Sequence, residues 1–342
     1  MAMTEAQLKE HIKAVDRNLY VLYGAEGYLT EQYAKMVADK TVEEGFDAFN
    51  LQRFDGQGLS ILTLEEAVES LPLMSERKCV LVRDYDPSGA DADRVQKLIS
   101  AMPETCVLVF WQMTVQPDKR KAGWKNFLAI AEQNGVVMEF KRKEPADTAK
   151  MLMAGAKRRG SHLDFDDAKY LVEQVGNDLN LLVRELDKLC ALAGDRDITR
   201  KLIDVASPKN LEAKVFDLSK AILRRRHDEA YDLLYQLKTQ REEPVSVLAV
   251  LSSAYADLYR AKVAAAGGVS PDSLAADYKS YKGKEWRLRN AGRDASRMSV
   301  PVLRDCLEIL AEGDMTLKGN HGDVWVLLEQ TVARLIARAV EG

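Results

Sequence analysis

The chain has 342 residues, 46% hydrophobic and 30% charged, the balance of a soluble globular protein, and at this length two or three domains are expected. Its formal net charge of −4 excludes the strongly basic body of a dedicated DNA-binding domain. No apolar run approaches the roughly 20 residues that a membrane-spanning helix needs, and the first residues, MAMTEAQLKEHIKAV, lack the apolar core of a signal peptide.

From 19 to 140, strand and helix patterns alternate. Leu19–Tyr23 reads as a first strand. Leu29, Tyr33, Met36 and Val37 then recur at helical spacing. Phe49, Leu51 and Arg53 alternate with Asn50 and Gln52, which predicts a second strand closed by Asp55-Gly56. A helix is predicted over 62–70. Cys79–Val82 and Cys106–Trp111 are continuous apolar runs, as in strands buried on both faces. Helices near 92–101 and 120–133 flank the second run, and Val136–Phe140 follows the turn at Asn134-Gly135. Alternating units of this kind predict a mostly parallel sheet covered on both faces.

KRKEPAD at 141–147 is a charged, proline-containing junction, after which strand patterns stop. Residues 147–207 read as a small helical bundle, with Asn177 as a candidate N-cap and Leu179, Leu182, Val183, Leu186 and Leu189 as an apolar stripe. Ser207-Pro208 closes this part. Further helices are predicted near 211–224, 228–239, 244–265, 284–295, 300–315 and 322–338, with breaks at Glu243-Pro244, Gly267-Gly268, Ser299 and Gly319. Residues 1–208 carry 28 Lys/Arg against 34 Asp/Glu, and residues 209–342 carry 21 against 19, so any nucleic-acid contact should be local.

Four cysteines (Cys79, Cys106, Cys190, Cys306) and four histidines (His11, His162, His227, His321) are scattered, without metal-ligand or redox spacing. This predicts a reduced, cytoplasmic setting and no metal. The stretch YVLYGAEGYLTE at 20–31 runs strand, glycine, turn and helix, as nucleotide-binding domains do. A phosphate loop needs G-x-x-x-x-G-K-S/T, with backbone N–H groups and a Lys for the phosphates and a hydroxyl for Mg²⁺. Counting from Gly24, those last three positions hold Leu29, Thr30 and Glu31. The lysine is missing and a carboxylate stands where a cation belongs. CVLVRD at 79–84 offers Asp84 alone as a metal carboxylate, which makes no site. No cofactor and no catalytic residue are therefore expected.

Two stretches remain for binding. Leu71, Pro72, Leu73 and Met74 fall between a helix and a strand, where a loop should be polar. Either they fold back onto the core or they form an apolar plug for a pocket on a partner. Residues 278–297 hold seven Lys/Arg against two acids, with Tyr278, Tyr281 and Trp286 among them. This is either a backbone-contacting nucleic-acid surface or a solvated helix face with its aromatics inside. Lys119, Arg120 and Lys121 form a smaller basic cluster.

Taken in order, YVLYGAEGYL, FDG at 54–56, SLPLMSERKCVLVRD at 70–84, DKRK at 118–121, VGNDLNLLVRELDKL at 175–189, VFDLSKAIL at 215–223 and the turn LKGN-HGD at 317–323 resemble the delta subunit of the bacterial DNA polymerase III clamp loader, an ATP-site-deficient branch of the AAA+ superfamily. The resemblance spans nearly the whole chain. It implies an AAA+/RecA-like α/β domain with a five-stranded sheet over 1–143, a lid-like helical domain over 144–208, and a helical collar domain over 209–342. It implies a subunit, itself non-catalytic, that binds and opens the ring-shaped sliding clamp (the beta subunit) for loading onto primed DNA. The collar would join the delta-prime and tau/gamma subunits in a heteropentamer around primer–template DNA, with no membrane contact. The matching clamp contacts are Leu73 and Met74, with Leu71 beside them. Family members often carry an aromatic second residue where this chain has Met74. The turn at 318–322 places Lys318 and His321 near the DNA, and Lys282, Lys284, Arg287 and Arg289 are the DNA-proximal candidates of the basic stretch. The rival functions are an active NTPase or remodeller of the same fold and a stand-alone nucleic-acid-binding module.

Overall fold

The computed structural model describes residues 3–88, 92–278, 281, 285–319 and 322–340. The chain divides into two compact units, Met1–Lys143 and Glu144–Gly342. Each is treated by itself.

The first unit opens on α1 (Glu5–Ala14), a helix that sequence periodicity did not single out. Its start is a capping box. The Thr4 hydroxyl accepts the Gln7 backbone N–H, and the Gln7 side chain accepts that of Thr4. There follow β1 (Leu19–Tyr23), α2 (Gly27–Thr41), the single turn α3 (Asp47–Asn50), β2 (Leu51–Asp55), α4 (Ile61–Glu69), β3 (Lys78–Arg83), α5 (Ala92–Ser100), β4 (Cys106–Trp111), α6 (Ala122–Asn134) and β5 (Val136–Glu139). The strand expected from Phe49 begins two residues later. The backbone N–H groups of Phe49 and Asn50 both bond to the Phe46 carbonyl and close a helical turn there.

The five strands pair in the order β2-β3-β4-β1-β5, all parallel. The three central strands are buried almost throughout, which is why they read as unbroken apolar runs. One face carries Leu19, Val21, Val80, Val82, Leu108 and Phe110 against α4, α5 and α6, with Trp124 and Phe127 inside. The other face meets α2, whose Leu29, Tyr33, Ala34 and Val37 are buried. The register aligns Asp55 with Arg83, Arg83 with Trp111, and Tyr23 with Glu139. These residues end the strands along the carboxyl edge, where open α/β sheets bind their ligands.

That edge is closed at one point by Gly24. Its φ is +132°, and a Cβ built on it would stand 2.2 Å from the Phe140 carbonyl oxygen. Backbone lies against backbone, so nothing can swing away. Gly24→Ala should cost about 2–5 kcal/mol from overlap and backbone strain together. Thermal unfolding of the purified variant checks this, and an unchanged melting temperature would contradict it.

The second unit is helical. It comprises α7 (Pro145–Arg158), α8 (Phe165–Val175), α9 (Leu179–Ala193), α10 (Arg200–Ala206), α11 (Leu211–Leu223), α12 (His227–Thr239), α13 (Pro244–Ala266), α14 (Pro271–Asp277), α15 (Glu285–Asp294), α16 (Val300–Gly319) and α17 (Val324–Val340). The apolar stripe of α9 is as expected, with Leu179, Leu182, Leu186 and Leu189 buried, but its N-cap is Asp178 rather than Asn177. The Asp178 carboxylate accepts the Leu181 N–H at 3.1 Å. A large core draws on α11, α12, α13, α15, α16 and α17, with Tyr255, Leu248, Leu303 and Leu335 fully enclosed. No helix among the described residues is long and apolar enough to cross a membrane.

Candidate functional site

The turn after β1 is tied to the end of β5 by backbone hydrogen bonds. The Glu26 N–H donates to the Phe140 carbonyl at 3.1 Å, and the Phe140 N–H donates to the Tyr23 carbonyl at 2.7 Å. Thr30, where a phosphate loop has its lysine, is fully buried, and its hydroxyl donates to the Glu26 carbonyl at 3.1 Å. Glu31, at the Mg²⁺-hydroxyl position, pairs with Lys35 at 2.8 Å. The Tyr33 ring stacks on Phe140 with centroids 5.1 Å apart.

Asp84, the one candidate metal carboxylate, is committed as well. It is buried and has a positive φ of 54°. One carboxylate oxygen accepts the N–H groups of Met113, Thr114 and Val115 at 2.7, 2.8 and 3.1 Å, and the other accepts the Thr114 hydroxyl at 2.9 Å. Burial works against its ionisation, but these donors outweigh burial and hold its pKa below the ordinary carboxylate value. Its oxygens tie the end of β3 to the loop after β4. Titration with a fluorescent ATP analogue and Mg²⁺ should give no saturable binding up to millimolar concentration. Micromolar, Mg²⁺-dependent binding would overturn this expectation.

The loop from 70 to 77 is built differently. Leu71, Leu73 and Met74 do not fold back onto the core; they are 81%, 51% and 80% exposed. Apolar side chains held out together on a loop are a sign of a contact surface. The backbone beneath them is pinned from three sides. At the C-terminus of α4, the buried Lys78 ammonium donates to the Ala67 carbonyl at 2.5 Å and to the Ser70 hydroxyl at 2.6 Å, a cation placed where the helix dipole favours it. Burial lowers the pKa of this lysine. The Arg77 guanidinium donates to the Val15 carbonyl at 2.6 Å. Between these anchors the fully buried Asn50 carboxamide brackets Leu73. Its Nδ2 donates to the Leu73 carbonyl at 2.9 Å, and its Oδ1 accepts the Leu73 N–H at 2.8 Å. Met74 then takes a left-handed conformation, φ +52°. Sequence periodicity placed Asn50 in a strand. Asn50 alternates with Gln52 as a strand residue would, so nothing local marks it as the partner of a distant backbone.

Among the described residues, the basic candidates do not all line one cleft. Arg287 donates to Asp257 at 3.0 Å and pairs with Glu212 at 3.1 Å, and its guanidinium lies 5.5 Å from the Phe216 ring. Arg287 and Arg289 line a cleft of about 580 Å³ between α8, α11, α13 and α15, whose lining does not include Lys318. Lys318 pairs with Asp314 at 2.7 Å on α16. Tyr281 is buried and its hydroxyl donates to Asp257, so this aromatic faces inward. Lys282, Lys284 and His321 lie outside the described residues, as does the Trp286 side chain. Lys119 and Arg120 of the smaller cluster pair with Glu139 and Asp118, both at 2.9 Å.

Two family models match this chain: the DNA polymerase III delta subunit over residues 20–141 and the C-terminal domain of the same subunit over residues 212–335. The DNA polymerase III subunit delta of Bacillus subtilis is 28% identical over 334 residues, covering 94% of this chain and 93% of the relative. That of Escherichia coli is 24% identical over 327 residues, covering 95% and 92%. The solved structure of the Bacillus subtilis DNA clamp loader delta protein matches 97% of this chain and 99% of its own, at 25% identity and a TM-score of 0.56. With one family matched in both units and relatives aligned along nearly their full length, the chain belongs to the DNA polymerase III delta subunit family.

Proposed function

We propose that this chain is the clamp-loader subunit that binds the ring-shaped sliding clamp and helps to open it for loading onto primed DNA, without binding ATP itself. The observation that carries this is the loop at 70–77, in which Leu71, Leu73 and Met74 stand out into solvent on a pinned backbone. Exposed side chains of this size on an ordered loop suit an apolar pocket on a partner. The commitment of Thr30 and Asp84 to internal hydrogen bonds accords with a subunit that keeps the scaffold of an ATPase and leaves the chemistry to others. In this proposal residues 144–208 form the lid-like domain, and residues 209–342 join the delta-prime and tau/gamma subunits in the collar. Lys282, Lys284, Arg287, Arg289, Lys318 and His321 are the candidate neighbours of primer–template DNA. Capture of the same organism's purified sliding clamp by the full chain, with ATP absent, tests the function. Retention of the clamp is the expected result, and its failure to bind at micromolar concentration would overturn the proposal.

A further inference from the structure

Asn50 and Leu73 are 23 residues apart, yet the Asn50 carboxamide satisfies both polar groups of the Leu73 backbone, as a neighbouring strand would. Asn50 itself is fully buried. An amide without partners in such a place is strongly disfavoured, so its side chain has one stable orientation. Its hold falls on the residue just before Met74, whose left-handed φ of +52° a non-glycine residue adopts only when its surroundings impose it. Pro72, on the other side of Leu73, further restricts the chain. The loop is thus ordered where its exposed side chains would otherwise leave it free.

The geometry points to Asn50 as the positioning residue of the clamp contact: its carboxamide holds the 71–74 loop in the shape that enters the clamp, so binding need not first order it. The inference rests on the proposed contact of Leu71, Leu73 and Met74 with the clamp. A loop that visits its binding shape only part of the time has its apparent affinity reduced by that fraction, and the reduction falls on the association rate. Removing an apolar anchor acts instead on dissociation, because the contact itself is poorer.

The test is surface plasmon resonance of full-length variants on the immobilised sliding clamp, together with hydrogen exchange of the Leu73 amide. Asn50→Ala should slow association roughly tenfold and leave dissociation within about twofold, while exchange at Leu73 accelerates. Leu73→Ala/Met74→Ala should speed dissociation. Asn50→Asp keeps an acceptor for the Leu73 N–H but sets a carboxylate oxygen against the Leu73 carbonyl. It should also slow association, and it carries the test if the alanine variant does not fold. Wild-type association by Asn50→Ala, or by Asn50→Asp where only that variant folds, would overturn the inference. So would unchanged protection of the Leu73 amide, or a loss seen only in dissociation. Wild-type kinetics for Leu73→Ala/Met74→Ala would instead remove the clamp contact itself, a separate outcome.

Discussion

Truncating Leu73 and Met74 together to alanine should weaken clamp binding by two to three and a half decades while leaving the fold almost untouched. Fully burying side chains of this size contributes roughly 1.5–3 kcal/mol each. Allowing for incomplete burial, the pair is worth about 3–5 kcal/mol, at about 1.4 kcal/mol per tenfold. In the free protein the two are 51% and 80% exposed, so little of their area belongs to the core. Their loss should therefore shift the melting temperature by no more than a surface substitution does. Clamp affinity and thermal unfolding, measured on the same variant, separate a contact residue from a core residue. A destabilised variant that binds the clamp normally once folded would sink the idea.

The second large effect lies at Asp84. Asp84→Ala leaves the N–H groups of Met113, Thr114 and Val115 and the Thr114 hydroxyl without their acceptor. Each buried donor left unsatisfied costs about 1–3 kcal/mol, and water can reach some of them, so about 3–5 kcal/mol is expected in all. For a unit of this size that is a fall of roughly 10–17 °C in melting temperature. Asp84→Asn keeps an acceptor and should lose less. The pH dependence follows from the lowered pKa of Asp84. The unfolded carboxylate takes up its proton first, so the stabilisation is complete above its ordinary pKa and drains away as pH falls through the lower folded one. Wild type should thus lose stability in acid more steeply than Asp84→Asn. Parallel slopes for the two proteins would show that Asp84 does not contribute in this way.

Much of this architecture was legible because its signals are local. The central strands read as unbroken apolar runs, and the stripe along α9 as one residue in three or four. What stayed hidden depends on distant partners. Asn50 alternates with its neighbours as a strand residue would, and only the Phe46 carbonyl and the far-off Leu73 backbone draw it into a turn. Asp84 stands where a metal carboxylate would, and nothing in CVLVRD reveals that three N–H groups some thirty residues away converge on it. The exposure of Leu71, Leu73 and Met74 was one of two possibilities for an apolar loop. Hydrogen bonds across 23 residues decided which. For Arg287 the sequence shows a basic stretch, while the structure shows its guanidinium held by carboxylates from two other helices.

The packing of Gly24 against Phe140 bears on how such a subunit could ever change its trade. Putting a lysine into a loop of this kind is a single substitution. Here, however, position 30 is sealed in the interior, and the turn at Gly24 leaves no gap for even one carbon against the neighbouring backbone. A lysine at position 30 would put a long cationic side chain where a fully buried threonine hydroxyl bonds to the Glu26 carbonyl, and burying a charge is costly. A change at position 30 alone would leave the turn at Gly24 in place, so both would have to change together for a phosphate loop to form.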